Sequence, residues 1–269
     1  MQSQVSERYE ALKTILAEMG EIVVGFSGGV DSTLLAKVAS DVLGDKCLAV
    51  VGESEAFPEG EIRSALEIAE VLGIRTLTVS THELENPNFS TNTPNRCYHC
   101  KNELFGKLQE IAKEQGIRWV ADGSNADDAG DYRPGMKAAA ELGVRSPLRE
   151  ANFTKSDIRE VAQHLNLPNW DKPSYACLSS RFPYGTTITR ELLGMVDKAE
   201  AYIKTLGFRQ LRVRHYGPTL KIEVEKPDLV RIIELSDQIV TQMKSIGYTY
   251  VTLDLEGFRS GKLNDILRK

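Results

Sequence analysis

The N-terminal half of the chain alternates between short apolar runs and longer segments in which apolar side chains recur at helical spacing. The short runs are typical of β-strands and lie at 22–26, 47–51, 74–79 and 118–122. The first helical segment covers residues 5–19, and another begins at Pro58 and ends before Gly73. This alternation predicts an α/β fold with a doubly wound parallel sheet, in which ligands bind beyond the carboxyl ends of the strands.

The middle of the chain, residues 144–185, is less regular. The pattern predicts a short strand at 144–148 and a helix at 155–165, with Thr154 as its N-cap. Residues 167–185 have little periodicity, and such a segment inside a compact domain is usually functional or disordered. Its aromatic residues and its cysteine argue against disorder, so we expect a functional loop.

The last third of the chain has a different order of elements. Its predicted elements are a helix, two strands of an antiparallel hairpin, a long helix and a last strand, at 189–206, 210–215, 219–225, 227–246 and 248–255. This order is typical of a small α+β domain. We therefore predict two domains, a larger α/β domain over residues 1–186 and a smaller C-terminal α+β domain over residues 187–269.

The first predicted strand leads into a glycine-rich turn and then a helix. The turn is Ser27-Gly28-Gly29-Val30-Asp31-Ser32. Its two glycines let backbone N–H groups converge, and the serine hydroxyls and the positive helix end suit a phosphate or pyrophosphate. Neither the Walker pattern nor the spaced dinucleotide fingerprint is met. The hexapeptide instead resembles the PP-loop of the ATP pyrophosphatases, which split ATP into AMP and pyrophosphate, so we expect ATP as a ligand.

Asp31 within this turn has two compatible roles. It can cap the following helix, and it can bind the Mg²⁺ that holds pyrophosphate. Asp127, Asp128 and Asp131 follow the predicted strand at 118–122 and also offer carboxylates. They either hold Mg²⁺ or cap turns in a solvated loop, and the sequence leaves both possibilities open.

Composition and charge narrow the class of protein. Hydrophobic residues make up 41% and charged residues 26% of the chain, as in globular proteins. The net charge of −5 gives no overall footprint for nucleic acid, although a local basic groove stays possible. No apolar run approaches the roughly 20 residues of a membrane span, and the N-terminus lacks the order of a signal peptide. We expect a cytoplasmic protein with neither a nucleic-acid nor a membrane partner.

Four cysteines in a reducing compartment favour metal-binding, catalytic or buried thiols over disulfides. Cys47 lies in a strand run and fits a small buried hydrophobe. Cys97 and Cys100 have C-x-x-C spacing at a predicted helix start, which favours thiolate, and Cys177 lies in the loop at 167–185. Three thiolates are one short of a closed zinc site and suit an iron–sulfur cluster with one open iron. From spacing alone, unrelated thiols, zinc, a redox pair and a three-cysteine cluster all stay open.

Charged residues of the predicted hairpin form a further candidate site. Arg212 and Arg214 share one face of the first strand, and three charged residues share one face of its partner, Lys221, Glu223 and Glu225. One interpretation is a solvated face with cross-strand ion pairs. The other is a bidentate clamp for a phosphate or carboxylate ligand.

Several sequence blocks share the order and spacing of one family. Besides the PP-loop they are RCYHCK at 96–101, NADDAGDYRPG at 125–135, SPLRE at 146–150, CLSSRFPYGTTIT at 177–189 and LRVRHYG at 211–217. With these blocks nearly the whole chain resembles the LarE family of ATP-dependent sulfur transferases. That family makes the pyridinium-3,5-bisthiocarboxylic acid mononucleotide precursor of the nickel-pincer cofactor. The resemblance implies a PP-loop, adenine nucleotide alpha hydrolase-like fold for the larger domain.

The resemblance also implies roles for individual residues. Cys177 matches the sulfur-handling cysteine, which some members sacrifice to become dehydroalanine. Members with three cysteines, as here, are held to bind a 4Fe-4S cluster whose open iron carries a transferable sulfide, which implies a cluster on Cys97, Cys100 and Cys177. Binding of ATP or substrate is implied for five further residues, Asn125, Arg181, Glu200, Arg212 and Arg214. The alternative for Glu200 is that it lies exposed on its helix and binds nothing. Relatives form homo-oligomers, so the resemblance also implies a homo-oligomer.

The implied reaction begins with transfer of AMP to the pyridinium carboxylate and release of pyrophosphate from the PP-loop. Sulfur then attacks the activated carbonyl, while Mg²⁺ and backbone donors stabilise the leaving pyrophosphate. Three alternatives stay in view: a tRNA thiolase of the same superfamily, a non-catalytic adenine-nucleotide sensor, and an amide-forming PP-loop ligase. The sequence leaves open whether the sulfur comes from Cys177 itself or from a cluster.

Overall fold

The structure is a computed structural model that describes residues 3–130, 134–173 and 175–267. Within these residues the strands are β1 (Ile22–Gly25), β2 (Cys47–Glu53), β3 (Thr76–Ser80), β4 (Trp119–Ala121), β5 (Leu211–Tyr216), β6 (Thr219–Val224) and β7 (Tyr250–Leu253). The helices of the same residues are α1 (Ser3–Met19), α2 (Val30–Leu43), α3 (Glu59–Val71), α4 (Pro87–Ser90), α5 (Arg96–Glu114), α6 (Pro134–Glu141), α7 (Pro147–Glu150), α8 (Lys155–His164), α9 (Arg190–Thr205), α10 (Leu229–Glu234) and α11 (Ser236–Ile246). None of these helices combines the length and apolar character that crossing a bilayer requires.

The first compact unit contains Met1–Glu83 and Asn95–Tyr175. Its four strands form an all-parallel sheet in the order β3-β2-β1-β4. Ile22 of β1 pairs with residues of β2 on one side and of β4 on the other. The chain places β2 and β3 on one side of β1 and then β4 on the other side, so the strand order reverses between β1 and β4. A ligand-binding crevice is expected at such a switch point.

Helices cover both faces of this sheet. Successive side chains of β1 point to opposite faces, so they pack against different helices. Ile22 and Val24 pack in one core with the buried faces of α1, α2, α3 and α8. Val23 packs in a separate core with α5 and α6. Each fully buried aliphatic side chain contributes about 1.5–3 kcal/mol relative to exposure, so β1 is a rigid base for the turn that follows it. The prediction of a doubly wound parallel sheet is confirmed.

The strand predicted at 144–148 is wrong. Arg145 forms an isolated parallel bridge to Ala121, and α7 begins directly afterwards at Pro147. Proline favours the first position of a helix, where its missing N–H is not needed. The helix predicted at 155–165 is confirmed as α8, and Thr154 caps it in a capping box with Asp157.

The second compact unit contains Leu84–Pro94 and Ala176–Lys269. Its sheet has the order β5-β6-β7, with β5 and β6 antiparallel and β6 and β7 parallel. Val213 and Ile222 lie opposite each other in this register and are buried in a core shared with α9 and α11. The predicted hairpin and α+β order are confirmed. The predicted boundary between residues 186 and 187 lies inside this unit, and the division into 1–186 and 187–269 stays a prediction.

The single long helix predicted at 227–246 is wrong because the segment is interrupted. A 3-10 turn is followed by α10, which ends at Glu234, and α11 begins at Ser236. Between them Leu235 has φ −95° and ψ 11°, away from α-helical values. Each segment buries its own apolar side chain, Ile232 on α10 and Ile239 on α11.

Asp254 follows β7 and ties the next segment of the second unit to β6. Its Oδ2 accepts hydrogen bonds from the Nζ atoms of Lys221 and Lys262, each at 2.7 Å. Burial alone raises the pKa of Asp254, but these two hydrogen bonds and one from the backbone of Glu256 outweigh it and lower the pKa to about 2. The charged carboxylate therefore stabilises the folded unit.

An Asp254→Asn variant is expected to have a free energy of unfolding lower by about 1–2 kcal/mol at about pH 7. Because the folded-state pKa is lowered, this contribution is complete above the unfolded-state pKa of about 3.9 and is lost as the pH falls towards about 2. Urea unfolding at several pH values measures the difference between variant and wild type. Asp265→Asn, which removes the exposed partner of Arg259, is the control and should change stability by less than about 0.5 kcal/mol. A difference that does not shrink below about pH 4 would contradict this assignment.

Candidate functional site

The turn from Ser27 to Ser32 joins β1 to α2 at the carboxyl edge of the parallel sheet. Gly28 has a φ of 66°, which glycine adopts without strain, and a Cβ there would lie 2.8 Å from Ala65. The Ser32 hydroxyl donates to the Gly29 carbonyl oxygen at 3.1 Å and accepts from the Ser27 N–H at 3.2 Å. The first amide groups of α2 have no partner within the helix, and the cap residue provides no side-chain hydrogen bond to them. These donors and the positive helix end suit an anionic ligand.

The loop after β4 lies against this turn. A Cβ at Gly123 would lie 2.9 Å from the backbone nitrogen of Ser32, so glycine permits the close approach of the two backbones. Asn125 Nδ2 donates to Asp31 Oδ2 at 3.2 Å. Because β1 and β4 are neighbours, their carboxyl ends bring Asn125 to the PP-loop. The structure therefore brings these predicted site residues together, and their binding roles stay predictions.

Asp31 lies in the first turn of α2 with its two carboxylate oxygens in different environments. Oδ2 accepts from Asn125 and forms an ion pair with Lys155. Oδ1 is buried without a hydrogen-bond partner, which is costly for a carboxylate oxygen. This oxygen fits a ligand of Mg²⁺, which takes one or two protein carboxylates together with phosphate and water oxygens. Among the described residues no group of three His, Cys, Asp or Glu side chains forms a metal site.

Two aspartates after β4, Asp127 and Asp128, accept hydrogen bonds from backbone N–H groups. Asp127 Oδ2 accepts from the backbone N–H of Lys155 at 2.8 Å, and Asp128 Oδ2 accepts from that of Asn125 at 3.0 Å. For these two residues the structure favours the turn-capping interpretation over a magnesium cluster. Asp131, the third aspartate of the segment, lies outside the described residues.

Three side chains near the PP-loop are missing from the sequence-based prediction. Asn169 Nδ2 donates to the carbonyl oxygen of Gly28 and to Thr33 Oγ1, both at 2.9 Å. Lys172 Nζ lies 3.5 Å from the same Gly28 oxygen. Lys155 reaches the loop through Asp31. For Asn169 and Lys172, the sequence signal was their place in the long segment at 167–185 without periodicity.

The two cysteines at C-x-x-C spacing lie at the start of α5, as predicted. Cys97 is exposed and Cys100 is partly exposed. Residues three apart are neighbours on a helix surface, so the two thiols share one side of α5. Cys47 differs, because burial raises the pKa of its thiol to about 12. A thiol that stays protonated is inert, so Cys47 is the buried hydrophobe that the strand pattern predicted.

Cys100 contacts a buried carboxylate in the first unit. Its Sγ donates to Glu83 Oε1 at 3.4 Å, while Glu83 Oε2 accepts from the hydroxyls of Ser54 and Thr81 at 2.8 and 3.0 Å. Cys97 and Cys100 belong to the first unit and Cys177 to the second. Iron–sulfur clusters are held by cysteine thiolates, so the three residues match such a cluster in donor type. Each of the three thiols is at least partly exposed. The described residues nevertheless form no three-ligand metal group.

Cys177 precedes a short 3-10 turn, Leu178–Arg181, in the second unit. Its side chain is partly exposed, and its carbonyl oxygen accepts from the N–H and the hydroxyl of Ser180 at 3.0 and 2.8 Å. Arg181 is fully buried and forms a bidentate ion pair with Glu200, with both distances 2.8 Å. The exposed position considered for Glu200 is therefore wrong, because this side chain closes a buried ion pair. The structure brings Cys177, Arg181 and Glu200 into one network.

Arg212 and Arg214 of β5 are both buried, so a solvated face is wrong for these two residues. Arg214 pairs with Glu223 of β6 at 2.9 Å, as the cross-strand alternative predicted, and also donates to the carbonyl oxygen of Ser180 at 2.7 Å. The guanidinium of Arg212 lies over the ring of Phe258, 5.0 Å from its centre. The ligand-binding clamp of Arg212 and Arg214 stays a prediction.

Comparisons with known proteins identify the family to which the chain belongs. A family model described as NAD synthase matches residues 4–103, which contain the PP-loop. An uncharacterized protein of Synechocystis sp. is 44% identical over 98% of this chain and 100% of its own length. The pyridinium-3,5-bisthiocarboxylic acid mononucleotide synthase of Lactiplantibacillus plantarum is 42% identical over 96% of this chain and 94% of its own length. The chain belongs to the LarE family.

Membership of the LarE family makes this chain an enzyme of the PP-loop ATP pyrophosphatase type and implies the use of ATP with Mg²⁺. The resemblance to the LarE family, inferred from the order of the sequence blocks, is confirmed. A more distant relative is the tRNA-specific 2-thiouridylase of Thermoanaerobacter sp., which is 26% identical over 81% of this chain and 73% of its own length.

Proposed function

We propose that this protein is an ATP-dependent sulfur transferase that activates the carboxylate of a pyridinium mononucleotide and replaces one of its oxygens by sulfur. The product is the thiocarboxylate precursor of the nickel-pincer cofactor. One observation carries the proposal: a PP-loop at the switch point of the sheet, in a chain 42% identical to a pyridinium-3,5-bisthiocarboxylic acid mononucleotide synthase over nearly its whole length. Three accessible thiols in the same chain support the sulfur step.

Activation of the carboxylate depends on the PP-loop. A carboxylate oxygen attacks the α-phosphorus of ATP, the bond from that phosphorus to the bridging oxygen breaks, and pyrophosphate leaves. The amide groups of the first turn of α2, with the hydroxyls of Ser27 and Ser32, bind the leaving pyrophosphate. Lys155 and Lys172 lie beside the loop, each in an ion pair with a carboxylate, Asp31 and Glu61 respectively. The acyl adenylate that results has a carbonyl carbon more electrophilic than that of the carboxylate.

Asp31 is the proposed ligand of Mg²⁺. Its Oδ1 has no hydrogen-bond partner, and its Oδ2 is oriented by Asn125 and Lys155. Mg²⁺ supplies neutralisation of the phosphate charge when it is bound. The role proposed for Asn125 is therefore to hold the Asp31 carboxylate in place beside the nucleotide.

Cys177 is the proposed sulfur-handling residue, and Cys97, Cys100 and Cys177 are the proposed ligands of a 4Fe-4S cluster. The exposure of these thiols supports this set, whereas Cys47 is buried. When bound, such a cluster supplies a sulfide as the nucleophile. The alternative is sacrifice of the protein's own sulfur. In that case Cys177 Sγ attacks the adenylate carbonyl and expels AMP, and the Cβ–Sγ bond then breaks with loss of the α-proton to leave dehydroalanine.

Arg212 and Arg214 are the proposed cations for the phosphate and carboxylates of the substrate. Arg212 and Arg214 are each 7% exposed, so each keeps some surface for a ligand, unlike the fully buried Arg181, and water screens an anion bound there only weakly. Glu223 orients Arg214 through hydrogen bonds of 2.9 and 3.1 Å. We also propose that the protein works as a homo-oligomer.

Pyrophosphate release tests this function. Protein purified without oxygen is incubated with ATP, Mg²⁺ and a carboxylated pyridinium mononucleotide, and mass spectrometry looks for the thiocarboxylate. Pyrophosphate and thiocarboxylate together are the expected result, and absence of pyrophosphate would refute the function. Iron and sulfide analysis of the same sample tests the cluster. Loss of iron in Cys97→Ala would support the cluster, whereas an iron-free protein that loses the mass of H₂S during turnover would establish sacrifice instead.

Thiolation of tRNA is the second candidate, favoured by the likeness to a tRNA-specific 2-thiouridylase. An electrophoretic shift with tRNA at physiological salt would support it. No shift, together with pyrophosphate release on the mononucleotide, would eliminate it. A nucleotide sensor would release no pyrophosphate, and an amide-forming ligase would stay active after replacement of the three cysteines.

A further inference from the structure

The turn that carries Cys177 is held by the buried side chain of Arg181. Arg181 Nη1 shares its two N–H groups among three oxygens, the carbonyl oxygen of Ala176 at 2.7 Å, that of Cys177 at 3.1 Å and Ser180 Oγ at 2.9 Å. The Ala176 carbonyl belongs to the peptide group before Cys177, and the Cys177 carbonyl belongs to the peptide group after it. One guanidinium nitrogen therefore restrains the backbone on both sides of the Cys177 α-carbon.

The charge of Arg181 is already balanced within the second unit. Its Nε and Nη2 donate to the two carboxylate oxygens of Glu200, which is itself 1% exposed. Glu200 Oε1 also accepts from the backbone N–H of Val213 at 2.9 Å, which links α9 to β5. A guanidinium that is fully buried and paired with a carboxylate adds little net positive charge for an anionic substrate.

A second arginine holds the same turn from β5. Arg214 Nη1 donates to the carbonyl oxygen of Ser180 at 2.7 Å, while its other nitrogens donate to Glu223. Ser180 in turn donates its N–H and its hydroxyl to the carbonyl oxygen of Cys177. The backbone of Cys177 is thus connected to α9 through Arg181 and Glu200 and to β5 through Arg214. The Cys177 side chain stays partly exposed.

We propose that Arg181, held by Glu200, is a positioning residue that fixes the main chain of Cys177 and so sets the place of its sulfur, and that it does not bind the substrate. This inference rests on the proposed sulfur-handling role of Cys177 and replaces the ligand-binding role that the family resemblance implied for Arg181. A displacement of about 1 Å between reacting atoms costs about 100-fold in rate. Both routes for sulfur need a fixed Sγ, either as the attacking atom or as a ligand.

An Arg181→Lys variant tests the proposal, because lysine keeps the charge but cannot span Glu200 and three oxygens of the turn. We expect thiocarboxylate formation to fall about 100-fold at saturating substrate. The KM for the mononucleotide in pyrophosphate release should stay within about twofold of the wild-type value. Hydrogen–deuterium exchange of the turn amides at 178–182 should be at least about tenfold faster, with exchange in β5 and β6 as the internal reference.

Two further variants sharpen the test. Ser180→Ala removes one oxygen held by Arg181 but leaves the ion pair with Glu200, so it should slow thiocarboxylate formation by about tenfold without raising KM. If Arg181→Lys does not fold, the rate and the KM of Ser180→Ala decide whether the contacts of Arg181 position the turn at Cys177. Arg259→Lys changes an exposed, carboxylate-paired arginine of the same unit and should leave both the rate and the exchange unchanged.

A KM raised about tenfold with an unchanged maximal rate would make Arg181 a substrate ligand and overturn the proposal. Unchanged exchange at 178–182 would overturn it as well. If the wild-type protein releases pyrophosphate but forms no thiocarboxylate, the proposed function fails. The exchange measurement would in that case still decide whether Arg181 restrains the turn at Cys177.

Discussion

Replacing Cys177 by alanine is expected to reduce thiocarboxylate formation by at least about 1000-fold while pyrophosphate release continues. The groups proposed to bind pyrophosphate lie in the first unit, and the substitution changes none of them. Without a sulfur at position 177 the acyl adenylate meets only water, which returns AMP and the original carboxylate. Measuring pyrophosphate and thiocarboxylate in the same sample separates the two steps.

Two cysteine variants serve as controls for this result. Cys47→Ala removes a buried thiol whose Sγ lies 3.9 Å from the Ala36 carbonyl oxygen, so it should keep both activities and cost about 1 kcal/mol of stability. Cys97→Ala distinguishes the sources of sulfur, because it should stop turnover if a cluster is needed and permit one turnover if Cys177 is sacrificed. Wild-type thiocarboxylate formation by Cys177→Ala would contradict the role of this residue.

A Gly28→Ala variant is expected to lose at least about 100-fold in ATP-dependent pyrophosphate release. Alanine at a φ of 66° is strained by about 1–2 kcal/mol. Its Cβ would also lie 2.8 Å from both the Cα and the Cβ of Ala65, so the backbone of the turn must move. Movement of this turn would displace the amide groups that are proposed to hold pyrophosphate. Initial rates of pyrophosphate release, with thermal unfolding of the same samples, measure the effect.

Two glycine controls separate strain from collision. Gly20→Ala has a similar φ of 75° with nothing within 4 Å of the new Cβ, so it should lose about 1–2 kcal/mol of stability and no activity. Gly123→Ala places a Cβ 2.9 Å from the Ser32 nitrogen and should reduce pyrophosphate release through collision. Wild-type pyrophosphate release by Gly28→Ala would mean that this turn does not bind the leaving group.

Much of the fold was predictable because its signals are local. The run at 22–26 and the helical spacing after it correspond to β1 and α2, and Thr154 correctly predicted the start of α8. The errors occur where two local interpretations of the same residues compete. Residues 144–148 are apolar enough for a strand, yet Pro147 begins a helix, and Leu235 interrupts a segment with continuous helical spacing.

The candidate site was also predictable only where its residues belong to short local motifs. The PP-loop and the C-x-x-C pair are short motifs, so their residues could be named from sequence. Asn169 and Lys172 contact Gly28 from a segment far away in the sequence. Their place in the irregular segment at 167–185 indicated a functional loop, but nothing in the sequence indicated a contact with Gly28. The burial of Arg181 and Glu200 could not be predicted from sequence either. Charged residues are usually exposed unless they are paired, and this pair forms only when the chain folds.

The most direct test of sulfur transfer follows the oxygen that leaves the carboxylate. When both oxygens of the substrate carboxylate carry a heavy-oxygen label, adenylation makes one of them the bridge to AMP. Attack of sulfur on the carbonyl carbon then expels that oxygen with AMP. We expect at least one labelled AMP for each thiocarboxylate formed, measured by mass spectrometry of both products. Thiocarboxylate accompanied by unlabelled AMP would contradict activation of the carboxylate by this PP-loop.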